Sequence, residues 1–86
     1  MQRYFFNVQD RHGYLVDPDG IEHADAAMAR HTAVAFGRSL LGEDLAQGFI
    51  DLNGSIEVMN DAGTVVHRVS FAECVLVVLE RTSLLE

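Results

Sequence analysis

The sequence has 86 residues, 49% of them hydrophobic, with 13 Asp and Glu against six Arg and no Lys. This length predicts a single domain over residues 1–86, and the hydrophobic fraction excludes a disordered chain. The net charge of −7 repels a phosphate backbone and anionic lipid, so neither nucleic-acid binding nor membrane docking is expected.

The cysteine count and the apolar runs indicate the cellular compartment. Cys74 is the only cysteine, which excludes an intramolecular disulfide and fits a reducing environment. The N-terminus has no basic segment followed by a long apolar run, as a secretory signal would require. The longest apolar run, residues 74–79, is far shorter than the ~20 residues of a membrane span. These features predict a cytoplasmic protein; whether Leu85 and Glu86 are native or a cloning remnant stays open.

The first segment predicts a β-hairpin. Residues 3–9 alternate, with Tyr4, Phe6 and Val8 on one face, which is typical of a strand. Phe5 breaks the polar face, so it is either covered by another element or an exposed apolar contact. Residues 10–13 form a turn ending in Gly13, and residues 14–16 form the returning strand.

A second turn leads into the longest helix. Pro18 and Gly20 suit a turn over residues 17–20. Residues 21–24 then lead into the helix, of which Asp25 is the predicted N-cap. Helical apolar spacing places one line of residues on the buried face: Ala26, Ala29, Ala33, Phe36 and Leu40. In this interpretation Phe36 is a core residue, and its truncation costs roughly 3–5 kcal/mol. The helix is expected to end near Gln47, with Gly48 as the left-handed residue beyond it.

The second half predicts another hairpin and a short helix. Strands over residues 55–60 and 64–69 flank a tight turn at residues 61–63. In the second of these strands, the face with Val65, His67 and Val69 is favoured as the inward one over the face with Val66 and Arg68. Ser70 and Glu73 fit a capping box, which favours a helix after it. The valine-rich residues 75–79 leave a strand as the alternative.

Together these elements predict an α+β fold with the order ββαββα. A small antiparallel four-stranded sheet carries one long helix on a face, and a shorter C-terminal helix follows.

Several segments together resemble a known family. They are RYFFNVQD at residues 3–10, GYLVDPDGIEHADAAMA at 13–29 and IEVMNDAGTVVHRVSFAE at 56–73. This combination is similar to a family of short bacterial proteins, common in rhizobia and related alpha-proteobacteria and classed as a domain of unknown function. The resemblance covers nearly the whole chain and implies no activity. The apolar tail beyond Glu73 departs from the family pattern.

A second resemblance, limited to the first half, is to antitoxins of the HicB type. They also run from a hairpin through an acidic glycine turn into an Ala-rich helix. The resemblance is one of architecture, which does not establish function.

The residue pattern predicts no catalytic residue, no cofactor and no metal site. The four histidines, His12, His23, His31 and His67, lack the spacing of a metal motif, although His23, His31 and Asp25 could share one. The acidic turn at residues 17–22 lacks the later ligands of a calcium loop. Cys74 lies on an apolar helix face, as a core cysteine does.

A set of surface residues is the predicted interaction surface. It comprises Phe5, Arg11, His12, Arg30, His31, Arg38 and Met59. Because Phe5, Met59 and the apolar tail from Val75 to Leu85 exceed what one small core needs, the leading hypothesis is a non-enzymatic module that acts through protein contacts or self-association. The alternatives are an antitoxin-like regulatory partner and a small ligand-binding protein or enzyme.

Overall fold

A computed structural model describes residues 1–80. Within that range the chain forms five strands, one α-helix and one 3₁₀ turn. In chain order these are β1 Gln2–Asp10, β2 Gly13–Leu15, β3 Ile21–His23, α1 Ala26–Ala46, β4 Ser55–Met59, β5 Val65–Ser70 and the 3₁₀ turn Phe71–Cys74. The α+β class is confirmed.

Strand β1 is the centre of the antiparallel sheet. It pairs with β4 on one side, from Phe5 opposite Met59 to Gln9 opposite Ser55, and β4 pairs in turn with β5. On the other side β1 pairs with β2 near its end and with β3 near its start. The prediction of four strands was therefore wrong. Ile21–His23, which was expected only to lead into the helix, pairs with Gln2–Tyr4.

The chain between β2 and β3 forms a bulged loop along β1. From Val8 opposite Leu15 to Tyr4 opposite Ile21, β1 advances four residues (8 to 4) while the outer strand advances six (15 to 21). The extra residues push the chain away from β1 between these two short strands, because they have no ladder partner. We call residues 16–20 the bulged loop.

Helix α1 begins and ends where the sequence predicts. The Asp25 side chain accepts a hydrogen bond from the backbone N–H of Met28, and Gly48 follows the helix with a φ of 96°. The face toward the sheet is lined by Ala29, Ala33 and Gly37, all buried. These small side chains let the helix backbone lie close to β4 and β5.

The hairpin of β4 and β5 contributes apolar residues to the core. Ile56 and Val58 are fully buried, and so is Val69 on β5. A register shift beside Val58 and Met59 interrupts the alternation, so Val65 is exposed while Val66 packs partly against the core. The favoured inward face of β5 is thus confirmed for Val69 and was wrong for Val65.

The prediction of a C-terminal helix was wrong. Ser70 and Glu73 form the expected capping box, but only a 3₁₀ turn follows it, and Val75 is extended with φ −139° and ψ 156°. Residues 75–80 form neither helix nor strand. A β-branched run has low helix propensity, and here the capping box alone does not propagate a helix. The rest of the predicted tail, including Leu85 and Glu86, lies outside the described residues.

The core lies between the sheet and α1 and includes the 3₁₀ turn. It consists of Tyr4, Phe6, Val8, Ala29, Ala33, Leu41, Ile56, Val58, Val69, Phe71 and Cys74. Phe36 was wrongly placed in it: its side chain is 38% exposed, whereas Leu41, five residues further along, is buried. A straight helix drifts relative to any fixed apolar stripe, so the buried line moves away from Phe36 toward Leu41.

Over residues 1–80, no helix has the combination of length and apolar character needed to cross a membrane.

Candidate functional site

Phe5 and Met59, two residues of the predicted interaction surface, lie together on the sheet face away from α1. They are directly opposite each other on β1 and β4, and both are half-buried. The Phe5 ring lies against the bulged loop, since a Cβ added to Gly20 would be 3.0 Å from Phe5 Cε2. Met59 Sδ accepts a hydrogen bond from Asn7 Nδ2 at 3.0 Å. Both side chains thus have partners within the chain.

Arg11 and His12 lie at the hairpin tip, and Arg11 joins that tip to the end of α1. Its guanidinium donates to both carboxylate oxygens of Asp44, at 3.1 and 3.0 Å, and lies 3.6 Å from Asp51. It also stacks 4.5 Å from the centre of the Phe49 ring. The hydrogen bond from Arg11 lowers the pKa of Asp44 below its usual value. Arg11 therefore has a structural role, while the His12 side chain remains exposed.

Arg30 and Arg38 lie on the flank of α1 that faces the 3₁₀ turn. Arg30 pairs with Glu73 at 2.8 Å, and Arg38 Nε donates to the Cys74 carbonyl oxygen at 2.6 Å. His31 is exposed and shares a small cleft of about 430 Å³ with Arg30 and His67. The seven predicted surface residues therefore lie in three separate places and form no common patch.

The sheet face away from α1 is covered largely by polar side chains. Tyr14 on β2 donates its hydroxyl to Glu57 on β4 at 2.7 Å, and Arg68 on β5 pairs with the same carboxylate. These two hydrogen bonds lower the pKa of Glu57, and the bond to Glu57 raises the pKa of Tyr14. Such a mutually satisfied network presents little apolar surface to a partner.

An apolar concavity lies on the other face, between α1 and the β2–β3 edge. This apolar groove has a volume of about 710 Å³. It is lined by Phe6 and Val8 of β1, Leu15 of β2, residues 16, 17, 19 and 20 of the bulged loop, Ile21 of β3, and Thr32, Ala35 and Phe36 of α1. Leu15 is 66% exposed, Val16 63% and Ile21 47%. The bulged loop opens the groove, because it holds β2 and β3 apart along β1.

The rim of the groove is fixed by the carboxylate of Asp17. Its Oδ2 accepts from the backbone N–H of Phe6 at 3.1 Å, and its Oδ1 accepts from the N–H groups of Asp19 and Gly20 at 3.0 and 3.1 Å. Partial burial favours the neutral carboxyl, but these three donors outweigh it and lower the pKa of Asp17. The carboxylate thus replaces a strand partner for β1 where the bulged loop has none.

A second set of hydrogen bonds anchors the same loop. The Asn7 side chain accepts from the backbone N–H of Asp17 at 2.9 Å, and Arg3 Nη1 donates to the Asp19 carbonyl oxygen at 2.9 Å. Asn7 is buried and polar, and these contacts satisfy it. The groove is therefore a preformed feature with a rigid rim.

His23 and Cys74 have the packing and hydrogen-bond contacts of structural residues. His23 Nε2 lies 3.0 Å from the Thr32 hydroxyl, and its ring packs near Phe6. Cys74 is buried in the core, and that burial raises its thiol pKa. Among residues 1–80, no group of three or more His, Cys, Asp or Glu side chains is placed to hold a metal ion.

The sequence did not reveal the groove. Leu15, Val16 and Ile21 occur in segments of three residues or in the loop between them, too short for an apolar pattern. One signal was available: Val16 and Ile21 flank a turn with Pro18 and Gly20, so two apolar residues stand at its two ends.

The comparisons with known proteins give one family match. A family model described as a domain of unknown function (DUF6894) matches residues 3–72, which include β1 from Arg3 onward, β2 to β5 and α1. No curated protein and no solved structure matches the chain, so the resemblance to antitoxins of the HicB type stays a prediction. The chain therefore belongs to the DUF6894 family, a family whose function is unknown.

Proposed function

We propose that this chain is a non-enzymatic module that acts through protein contacts, and that the apolar groove is its contact site for an apolar peptide segment. The observation that carries the proposal is the exposure of Leu15, Val16 and Ile21 around one preformed concavity. Contiguous exposed apolar surface of this kind marks interaction sites in small folded proteins.

The groove also has the position that peptide recognition uses. It runs beside β2 and β3, which form one edge of the sheet, and is closed on its other side by α1. An extended segment can place alternate side chains in such a groove while its backbone follows the strand edge. The apolar lining supports recognition of Val, Leu or Ile side chains.

A small ligand is the second candidate, because the groove volume falls within the range of about 300–1,000 Å³ that is typical of ligand pockets. The polar groups that line the groove favour a peptide over a small molecule. The oxygens of Asp17 are held by three backbone N–H groups, and the Thr32 hydroxyl is held by His23. Among these lining residues the exposed carboxylate of Asp19 is left without a hydrogen bond from residues 1–80, and a single such group gives a small molecule little orientation.

A peptide-display selection on the immobilised full chain tests the proposal. We expect enrichment of sequences with two or more closely spaced Val, Leu or Ile residues. Binding should be lost in Leu15→Asp and retained in the matched control Leu45→Asp, since Leu45 is similarly exposed at 63% but lies on α1 outside the groove. No enrichment, or binding that Leu15→Asp leaves unchanged, would refute the groove as the contact site.

A further inference from the structure

The chain itself carries an apolar segment of the kind the groove would bind. Residues 76–79, Leu-Val-Val-Leu, are all exposed, with Leu76 at 88% and Leu79 at 79%. No charged residue interrupts the run between Glu73 and Glu80. The segment continues from an extended residue, Val75. It therefore offers successive aliphatic side chains on a chain that is not folded into a helix.

The 3₁₀ turn that leads into this apolar segment lies on the flank of α1 opposite the apolar groove. The 3₁₀ turn that precedes the segment is held by Arg30 and Arg38 on one flank. The groove is lined by Thr32 and Phe36 on the other flank, and the sheet order places β2 and β5 at opposite edges. Residues 76–79 are exposed and do not line the groove, so in the folded chain neither apolar surface covers the other.

We infer that the groove of one copy binds residues 76–79 of a second copy, and that the exchange is reciprocal. This inference rests on the proposed function and names the partner of the same site. Two exchanged segments give a closed, two-fold symmetric dimer, in which each chain contributes one groove and one segment.

The size of the contact favours the reciprocal arrangement. A buried Val or Leu side chain removes on the order of 60–120 Å² from water, so one docked segment and its groove bury about 500–900 Å². A single contact is therefore smaller than a stable interface of roughly 1,200–2,000 Å². Two contacts bury about 1,000–1,800 Å², which reaches that range.

The charges also favour residues 76–79 of a second copy as the segment that binds in the groove. Each chain has a net charge of −7, and the groove rim bears Asp17 and Asp19. A partner segment with several carboxylates would be repelled, whereas residues 75–79 are uncharged and Glu80 and Arg81 after them bear opposite charges. Since two acidic chains still repel one another at long range, we expect association to become tighter as salt is added.

The test measures the mass of the full-length chain by light scattering and sedimentation over a range of concentrations. We expect a dimer for the wild type. Val78→Asp in the segment and Leu15→Asp in the groove should each weaken the dimer by roughly 100-fold or more, because each buries an unpaired carboxylate. Leu45→Asp should dimerise like the wild type, and circular dichroism checks that every variant is folded. If Leu15→Asp does not fold, Val16→Asp replaces it.

A mixing experiment tests the pairing itself. The Val78→Asp chain keeps an intact groove, and the Leu15→Asp chain keeps an intact segment. The two variants mixed should associate more tightly than either alone, since one of the two contacts is restored. A wild-type monomer at high concentration, or a mixture no tighter than its components, would overturn the inference.

A labelled peptide of residues 75–86 separates this inference from the proposed function. It should bind the Val78→Asp chain, whose groove is intact, and should not bind the Leu15→Asp chain. If this peptide fails to bind while selected apolar peptides still bind at the groove, the second copy is refuted as the partner and the groove stands as a contact site. If neither binds, both proposals fail.

Discussion

Replacing Asp17 with Asn tests whether one carboxylate holds the bulged loop against β1. The carboxylate accepts three backbone N–H groups, two of them at Oδ1 and that of Phe6 at Oδ2. An amide has only one oxygen, so either the two N–H groups of the turn or the N–H of Phe6 would then face an NH₂ group. A hydrogen bond to a charged group contributes about 1.5–3 kcal/mol, and a buried donor without an acceptor costs a similar amount.

We therefore expect Asp17→Asn to reduce the free energy of unfolding by about 2–3 kcal/mol at neutral pH. For a domain of this size that corresponds to a fall in Tm of roughly 10–20 °C. Urea denaturation followed by circular dichroism measures the change. Asp19→Asn is the matched control: it removes the same charge two residues away, and within residues 1–80 the Asp19 carboxylate accepts no hydrogen bond. Its effect should stay within about 0.5 kcal/mol.

The pH dependence gives the same prediction an independent check. The folded-state pKa of Asp17 is lowered, so its contribution is complete above the unfolded pKa of about 3.9 and is lost as pH falls through the folded value. Asn does not titrate. The stability difference between the wild type and Asp17→Asn should therefore narrow below about pH 4. Equal denaturation midpoints at neutral pH, or a difference that stays constant down to about pH 3, would contradict this account of the loop.

Two further pairs of substitutions each compare a glycine that has close neighbours with a glycine that has none. Gly20→Ala should destabilise the fold by about 2–4 kcal/mol, since φ is 72° and the new Cβ would lie 2.9 Å from the Tyr4 carbonyl oxygen. Gly63→Ala, with φ 82° and no atom closer than 3.9 Å, should lose only about 1–2 kcal/mol in the same urea titration. Within α1, Gly42→Ala should stabilise by up to about 1 kcal/mol, because it meets nothing within 4 Å. Gly37→Ala should instead destabilise by about 1–3 kcal/mol, since its Cβ would lie 2.6 Å from the Cys74 sulfur; equal thermal shifts for these two helix variants would disprove the close packing.

The sequence predicted correctly those elements whose local residue preferences agree with the way they pack in the fold. The alternation around Tyr4, the N-cap at Asp25 and the capping box at Ser70 were all read from a few neighbouring residues, and each is present. In these places the local preference and the tertiary packing agree.

The wrong predictions concern residues whose secondary structure or burial depends on parts of the chain that are distant in sequence. Ile21–His23 is a strand only because the bulged loop returns it to the start of β1, and no three-residue segment signals such pairing. Phe36 has the right spacing for the core, but the buried line of α1 runs through Ala33, Gly37 and Leu41, so Phe36 lies beside this line and borders the groove instead. The groove depends on the pairing of β3 with β1 and on the position of Phe36, and no sequence motif signals either of them.

The position of β1 has a consequence for how the molecule opens. Between Phe6 and Gln9 this strand is bounded by β4 on one side and by β2 and the Asp17 carboxylate on the other. Because β2 and β3 are short edge strands, we expect the amides of β1 to exchange with deuterated solvent more slowly than the amides of these two strands. A deletion that reaches into Gln2–Asp10 therefore removes the middle of the sheet, although in sequence it only shortens an end.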